Sequence, residues 1–110
     1  MAEKKYSVNI TKTAKTDLME IIGFISKNNP INALHILKRI ENRINTLSHF
    51  PARGGYVPEL LKNNIKEYRQ LIESPWRIIY KIDNKTVNVL LIIDSRRNTQ
   101  DILVEKLVNK

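Results

Sequence analysis

Residues 76–93 constrain this chain more than any other stretch. Trp76-Arg77-Ile78-Ile79-Tyr80-Lys81-Ile82 and Thr86-Val87-Asn88-Val89-Leu90-Leu91-Ile92-Ile93 are rich in β-branched and aromatic residues. Asp83-Asn84-Lys85 separates them, and Asn tolerates the positive φ that a tight turn needs. This is a β-hairpin pattern. By strict alternation Val87, Val89, Leu91 and Ile93 share one face of the second run, and Leu90 and Ile92 share the other. Apolar residues on both faces predict a central strand covered on both sides. The fold must therefore place layers above and below one sheet. Arg77 sits inside the first strand, and Arg96 and Arg97 follow the end of the second.

The rest of the chain supplies those layers. Tyr6, Val8 and Ile10 alternate with polar residues as in a half-buried strand. Thr11 or Thr13 can cap a helix carrying Ala14, Leu18, Ile21, Ile22 and Ile25. Asn29 and Pro30 have the cap and first-turn chemistry of a second helix, in which Ala33, Leu37, Ile40, Ile44 and Leu47 form the apolar stripe and Leu34 and Ile36 widen it. So short a connection predicts an antiparallel helical hairpin. Residues 51–64 hold Pro51, Gly54, Gly55 and Pro58 and read as a loop, with a possible helical turn at Glu59-Leu60-Leu61. Residues 65–73, 75–82 and 86–93 read as three strands. Asn98 or Thr99 can cap a last helix bearing Ile102, Leu103, Leu107 and Val108. The predicted fold is α+β in the order β-α-α-β-β-β-α, with the helical hairpin packed on a mostly antiparallel, curved sheet. At 110 residues this is one domain, residues 1–110.

Composition removes several function classes. There is no cysteine, so disulfides and thiolate chemistry are absent. His35 and His49 both read as lying on the second helix, about 21 Å apart at 1.5 Å per residue, too far to share an ion. No metal or other cofactor is expected. Gly54-Gly55 lacks the spacing of a phosphate loop. The run Val89–Ile93 is far short of the ~20 residues that span a membrane. The first residues have no apolar segment of a secretory signal, so a cytoplasmic location is expected. Nineteen Lys and Arg against 11 Asp and Glu give a formal charge of +8, which favours polyanions or an acidic protein partner.

Four arginines then draw attention. Arg69 lies in the first strand of the predicted sheet, Arg77 in the next, and Arg96 and Arg97 at the end of the third. Antiparallel pairing brings the start of one hairpin strand beside the end of the other, so Arg77 neighbours residues 92–95. Clustered guanidinium groups suit phosphate or carboxylate. The structural alternative pairs Arg77 with Glu73 or Glu67 and leaves Arg96 and Arg97 in solvent. Trp76 and Tyr80 share parity with Ile78 and Ile82 and read as core, although they, Tyr56 and Tyr68 could stack on bases. Glu59 reads as a solvated loop carboxylate that could serve as a base.

An ordered set of short motifs resembles the RelE/ParE toxin superfamily of type II toxin–antitoxin systems. The set comprises Ala14-x-x-Asp17-Leu18-x-x-Ile21, Asn29-Pro30-x-x-Ala33, Pro51-x-x-Gly54-Gly55-Tyr56-Val57-Pro58-Glu59-Leu60, Tyr68-Arg69-x-Leu71, Trp76-Arg77-Ile78-Ile79-Tyr80, Val89-Leu90-x-Ile92 and Arg96-Arg97. The resemblance implies the fold read above and a cognate antitoxin with an acidic toxin-binding segment. It implies one of two activities. RelE-like members cut mRNA on the ribosome without metal. ParE-like members inhibit DNA gyrase. Arg77 and Arg97 match the phosphate-contacting arginines of the nucleases, and Arg69 lies near their additional basic positions. The nucleases keep a tyrosine, or a histidine followed by tyrosine, near the C-terminus. Residues 98–106 hold neither, and Leu103 stands about where the tyrosine falls. With the Val57-Pro58-Glu59-Leu60 loop, this favours a ParE-like toxin over an enzyme. The alternatives are a RelE-like endonuclease using Arg69, Arg77 and Arg97, and a non-toxic binding module of the same fold.

Overall fold

The computed structural model describes residues 5–108. The N-terminal positions read above for a targeting signal include residues 1–4, which lie outside that range. Five strands form one open sheet in the order β1-β5-β4-β3-β2: β1 Ser7–Ile10, β2 Gly55–Tyr56, β3 Tyr68–Glu73, β4 Trp76–Asp83 and β5 Thr86–Asp94. Only β1 runs parallel to its neighbour; the other pairs are antiparallel. The helices are α1 Lys12–Ser26, α2 Pro30–Asn45, α3 Pro58–Leu61 and α4 Thr99–Leu103, the last continuing as a wider π-type turn over Val104–Val108. Among the described residues no helix is long and apolar enough to cross a membrane.

Local chemistry explains the boundaries. The Thr11 hydroxyl accepts the Ala14 amide at 3.2 Å and opens α1. The Asn29 side chain accepts the Asn32 amide at 3.0 Å, with Pro30 following as the first helical residue of α2. Asn98 caps α4 through the Asp101 amide. Asn84 takes φ 54° in the hairpin turn. The helix hairpin packs on one face of the sheet. There Ala14, Leu18, Ile36, Ile40, Ile44 and Leu47 meet Trp76, Ile78, Tyr80, Val87, Val89 and Ile92. A smaller core on the other face holds Val57, Leu60, Ile79, Leu91, Ile93 and Leu103.

Several sequence expectations change. Strict alternation does not hold along β5. Ile79 pairs with Leu91 but Tyr80 pairs with Val89, so Leu90 is an extra, bulged residue. The bulge moves Leu91 and Ile93 to the second core and returns Ile92 to the first with Val87 and Val89. Both faces are still buried, with different residues on each. The α2 stripe is centred on Ile36 rather than Leu37, and Leu34 is largely exposed. His49 lies past α2, after a 3-10 turn at Thr46–Ser48. Residues 55–56 form a strand where a loop is expected, which makes the sheet five-stranded.

That short strand depends on Gly54. Its amide donates to the buried Tyr80 hydroxyl at 3.0 Å, and burial raises the Tyr80 pKa. A β-carbon on Gly54 would lie 2.4 Å from the Gln70 carbonyl oxygen and 2.7 Å from that hydroxyl. Gly23, inside α1, has nothing within 4 Å of the same position. Gly54→Ala is expected to lose about 2 kcal/mol or more of stability. Gly23→Ala should gain roughly 0.5–1 kcal/mol. Urea unfolding of the two variants measures both, and similar midpoints would contradict the packing assigned to Gly54.

Candidate functional site

The four arginines are placed very differently. Arg77 faces the second core beside Ile79 and is 7% exposed. An ionised group there needs a counter-charge. Glu59 of α3 supplies it through two bonds, Nη1 to Oε2 at 2.7 Å and Nη2 to Oε1 at 2.8 Å. The Gln70 side-chain oxygen Oε1 accepts from Nε at 2.8 Å and from Nη2 at 2.6 Å. The Thr99 hydroxyl, at the start of α4, donates to Glu59 Oε2 at 2.9 Å. One carboxylate thus ties together α3, β4 and α4. Arg77 pairs with neither Glu73 nor Glu67, and Glu59 is not the solvated loop residue the sequence suggests. Glu73 binds Arg39 at 2.5 Å and Arg43 at 3.3 Å, and Glu67 faces Lys81.

Arg69 donates to the Gly54 carbonyl at 2.7 Å and stacks on the Tyr56 ring at 4.7 Å, bracing β2 against β3. Arg96 closes on Asp94 through Nε and Nη2 at 2.9 and 2.6 Å, and this pairing lowers the Asp94 pKa. Arg97 has no hydrogen bond or ion pair from its guanidinium among the described residues. It lines a cleft of about 570 Å³ with Lys106. Three of the four arginines are therefore occupied within the chain, each by different groups.

The cleft lies between α1, the C-terminal helix and the end of β5. Asp17, Glu20, Ile21, Phe24, Trp76 and Ile92 contribute to its walls, beside Arg96, Arg97 and Lys106. It follows from the short first strand. β1 pairs with Thr86–Val89 only, so Leu90–Asp94 has no strand on that side. Side chains of the first helix region satisfy part of this edge. Thr11 Oγ1 donates to the Leu90 carbonyl at 3.3 Å, and the Ile92 amide donates to Asp17 Oδ2 at 3.0 Å. Burial raises the Asp17 pKa, while that amide and the charges of Lys106 and Arg97 act against the rise. Among the described residues no group of His, Asp and Glu could hold a metal.

Residues 8–99 match the family described as the ParE toxin of the type II toxin–antitoxin system parDE. The chain belongs to the ParE toxin family. It is 28% identical over 89 residues to Toxin ParE3 of Caulobacter vibrioides, covering 80% of this chain and 85% of that protein. Among solved structures it resembles the chromosomal ParDE toxin–antitoxin system of P. aeruginosa with a TM-score of 0.68 at 21% identity, covering 83% and 97% of the two chains. It also resembles the RelBE2 toxin–antitoxin complex of Mycobacterium tuberculosis with a TM-score of 0.58 at 25% identity, covering 84% and 94%. The ParE assignment and the membership of the wider RelE/ParE superfamily agree with the motifs in the sequence. In this ParE chain the residue that sequence reasoning misplaced is Glu59, which reads as a solvated carboxylate and is instead the partner of Arg77. The signal was available: an arginine on the buried face of an inner strand requires a carboxylate, and Glu59 is in the loop that covers that face.

The Arg77 and Thr99 bonds hold the Glu59 carboxyl at a pKa of about 2, below its ordinary 4.5. The folded value is the lower one. Glu59 therefore contributes stability that is complete above pH 4.5 and is lost as the pH falls towards 2. Glu59→Gln should remove most of that loss between pH 4.5 and 2, measured by chemical denaturation at each pH. Parallel pH profiles for the two proteins would refute the ion pair's role. Glu59→Ala at pH 7 is expected to cost about 3 kcal/mol, because Arg77 is left buried and unpaired.

Proposed function

We propose that this ParE-family chain inhibits growth by binding DNA gyrase and is neutralised by a cognate antitoxin. The observation that carries the choice of target is the state of Arg77. A metal-independent ribonuclease needs cations free to meet phosphate and a group to move the 2′-hydroxyl proton. Here Glu59 and Gln70 occupy all three Arg77 nitrogens, and residues 98–106 contain no tyrosine or histidine. Of the four arginines, Arg97 is the one with no guanidinium bond among the described residues, with Arg96 beside it on its own Asp94. These support anion binding at the cleft rather than strand scission.

The partner reading rests on the company the fold keeps. Two similar structures are named as a ParDE system and a RelBE2 toxin–antitoxin complex. The cleft supplies an apolar wall at Ile21, Phe24 and Trp76, with Arg97 and Lys106 at its rim. A segment that is acidic and apolar in alternation fits such a surface, and ordering on binding is the usual behaviour of such segments. The cytoplasm, where gyrase works, is the location this reading requires.

The test uses purified protein. Gyrase supercoiling should fail at micromolar toxin and recover when the antitoxin is added in equimolar amount. Unimpaired supercoiling together with transcript cleavage on programmed ribosomes would replace this reading with the nuclease one. Failure of both, with unimpaired growth on expression, would leave a non-toxic binding module. Reversing both rim charges, Arg97→Glu with Lys106→Glu, should weaken antitoxin binding by roughly tenfold or more, mainly through a slower on-rate at low salt. Isothermal titration and stopped-flow mixing measure the two effects.

A further inference from the structure

The cleft beside β5 carries charges of both signs. Both acidic residues of α1, Asp17 and Glu20, line it, while that helix's lysines, Lys12 and Lys15, do not. Positions 17, 20 and 24 are three and four residues apart, so Phe24 shares their side of α1. The C-terminal segment contributes Lys106 and the turn after β5 contributes Arg97. Asp17 is already engaged by the Ile92 amide at 3.0 Å. Glu20 is exposed and has no hydrogen bond or ion pair among the described residues. Burial is the main cause of the raised Asp17 pKa and Glu20 adds to it, while the Ile92 amide, Lys106 and Arg97 oppose it. Anion and cations thus face one cleft without closing on each other. Phe24 is 72% exposed between them and solvent, a large apolar side chain without cover. Part of the main chain at the floor is taken, because Thr11 and Asp17 hold the Leu90 carbonyl and the Ile92 amide. A segment lying in the cleft is therefore read mainly through its side chains.

Resting on the reading that the antitoxin occupies this cleft, we propose that its bound segment is charge-ordered rather than uniformly acidic, with Glu20 as the residue that sorts partners. The segment places an apolar side chain against Phe24, a carboxylate towards Arg97 and Lys106, and a lysine or arginine towards Glu20. On a chain of net charge +8, an acidic segment is attracted to most of the surface, so attraction alone selects little. At this cleft a uniformly acidic segment would lay like charge against Asp17 and Glu20, which costs binding. Glu20 thus penalises acidic segments that lack a cation at that place, and discrimination comes from the repulsion as much as from the attraction. A second copy of the same chain is a poor occupant, because the shared positive charge repels it.

The test titrates the full-length toxin and its Glu20→Lys, Glu20→Gln and Arg97→Glu variants with the cognate antitoxin by isothermal titration. Glu20→Lys should weaken binding about three- to tenfold and Glu20→Gln about twofold, because Glu20 is an exposed charge at a rim. A uniformly acidic segment predicts the opposite sign, since Glu20→Lys would add one more attractive cation. Each lysine and arginine of the antitoxin's toxin-binding segment is then changed to glutamate in turn. One such change should restore near-native affinity for the Glu20→Lys toxin and weaken binding to the native toxin. Tighter or unchanged binding by Glu20→Lys, with Arg97→Glu weakened, overturns the charge order and leaves the cleft as the antitoxin's site. No binding, or unchanged affinity in every variant, overturns both readings. Self-association of the free toxin that Glu20→Lys abolishes, measured by analytical ultracentrifugation, would give the cleft to a second copy and overturn the proposal as well.

Discussion

Arg77 is a permanent positive charge in the interior of a sheet whose other inward residues are almost all apolar. Its burial decides what can cover that face. The layer above it must bring a carboxylate to the guanidinium, and the chain does this with Glu59 on the shortest of its helices. The same carboxylate binds Thr99, so the start of the C-terminal helix is fixed by the charge that fixes α3. Val57, Leu60 and Leu103 then complete the small second core around the pair. A buried ion pair is seldom a large net source of stability, because desolvation offsets most of the attraction. Its consequence here is positional: it selects one arrangement of loop and helix over others that would bury similar apolar area.

The two faces of the sheet consequently have different characters. The face under the helical hairpin is a conventional apolar core built from Ile40, Ile44, Leu47, Ile78 and Val89. The other is smaller and organised about a charge. The cleft sits where neither layer is complete, because β1 ends at Ile10 and leaves the last part of β5 without a neighbour. Open strand edges invite unwanted pairing, and Asp17 and Thr11 blunt this one from the first helix region. Two cations without an ion pair among the described residues, Arg97 and Lys106, line this cleft. This basic rim lies apart from the buried Arg77.

Much of this was legible in the sequence. The cap at Asn29, the caps at Thr11 and Asn98 to within a choice of two residues each, the Asn84 turn and the order of elements follow from local chemistry. So does the burial of β5 on both sides. What was not legible depends on contacts between distant residues. The bulge at Leu90 leaves no local mark, since Leu90 and Leu91 are both apolar and either could be the extra residue. Strand β2 is two residues long, too short for any periodicity, and forms because Arg69, Tyr80 and Gln70 meet it. Strand proximity alone points Arg77 to Glu73 or Glu67 along the sheet. Glu73 shares the strand turn with Trp76 and is taken by arginines of α2, while the residue that reaches the buried face is in the loop. The motifs that carried the family were sound because they record this same packing: Glu59 and Arg77 each belong to one of them.

Glu59 and Arg77 act as one unit inside the fold. A double-mutant cycle measures that directly, using Glu59→Leu, Arg77→Met and the pair together, with unfolding free energies at pH 7. The account predicts a coupling of about 2–3 kcal/mol, with the double variant more stable than either single variant, because each single change strands a charge and the double change strands none. Additive effects, with a coupling within about 0.5 kcal/mol of zero, would contradict it.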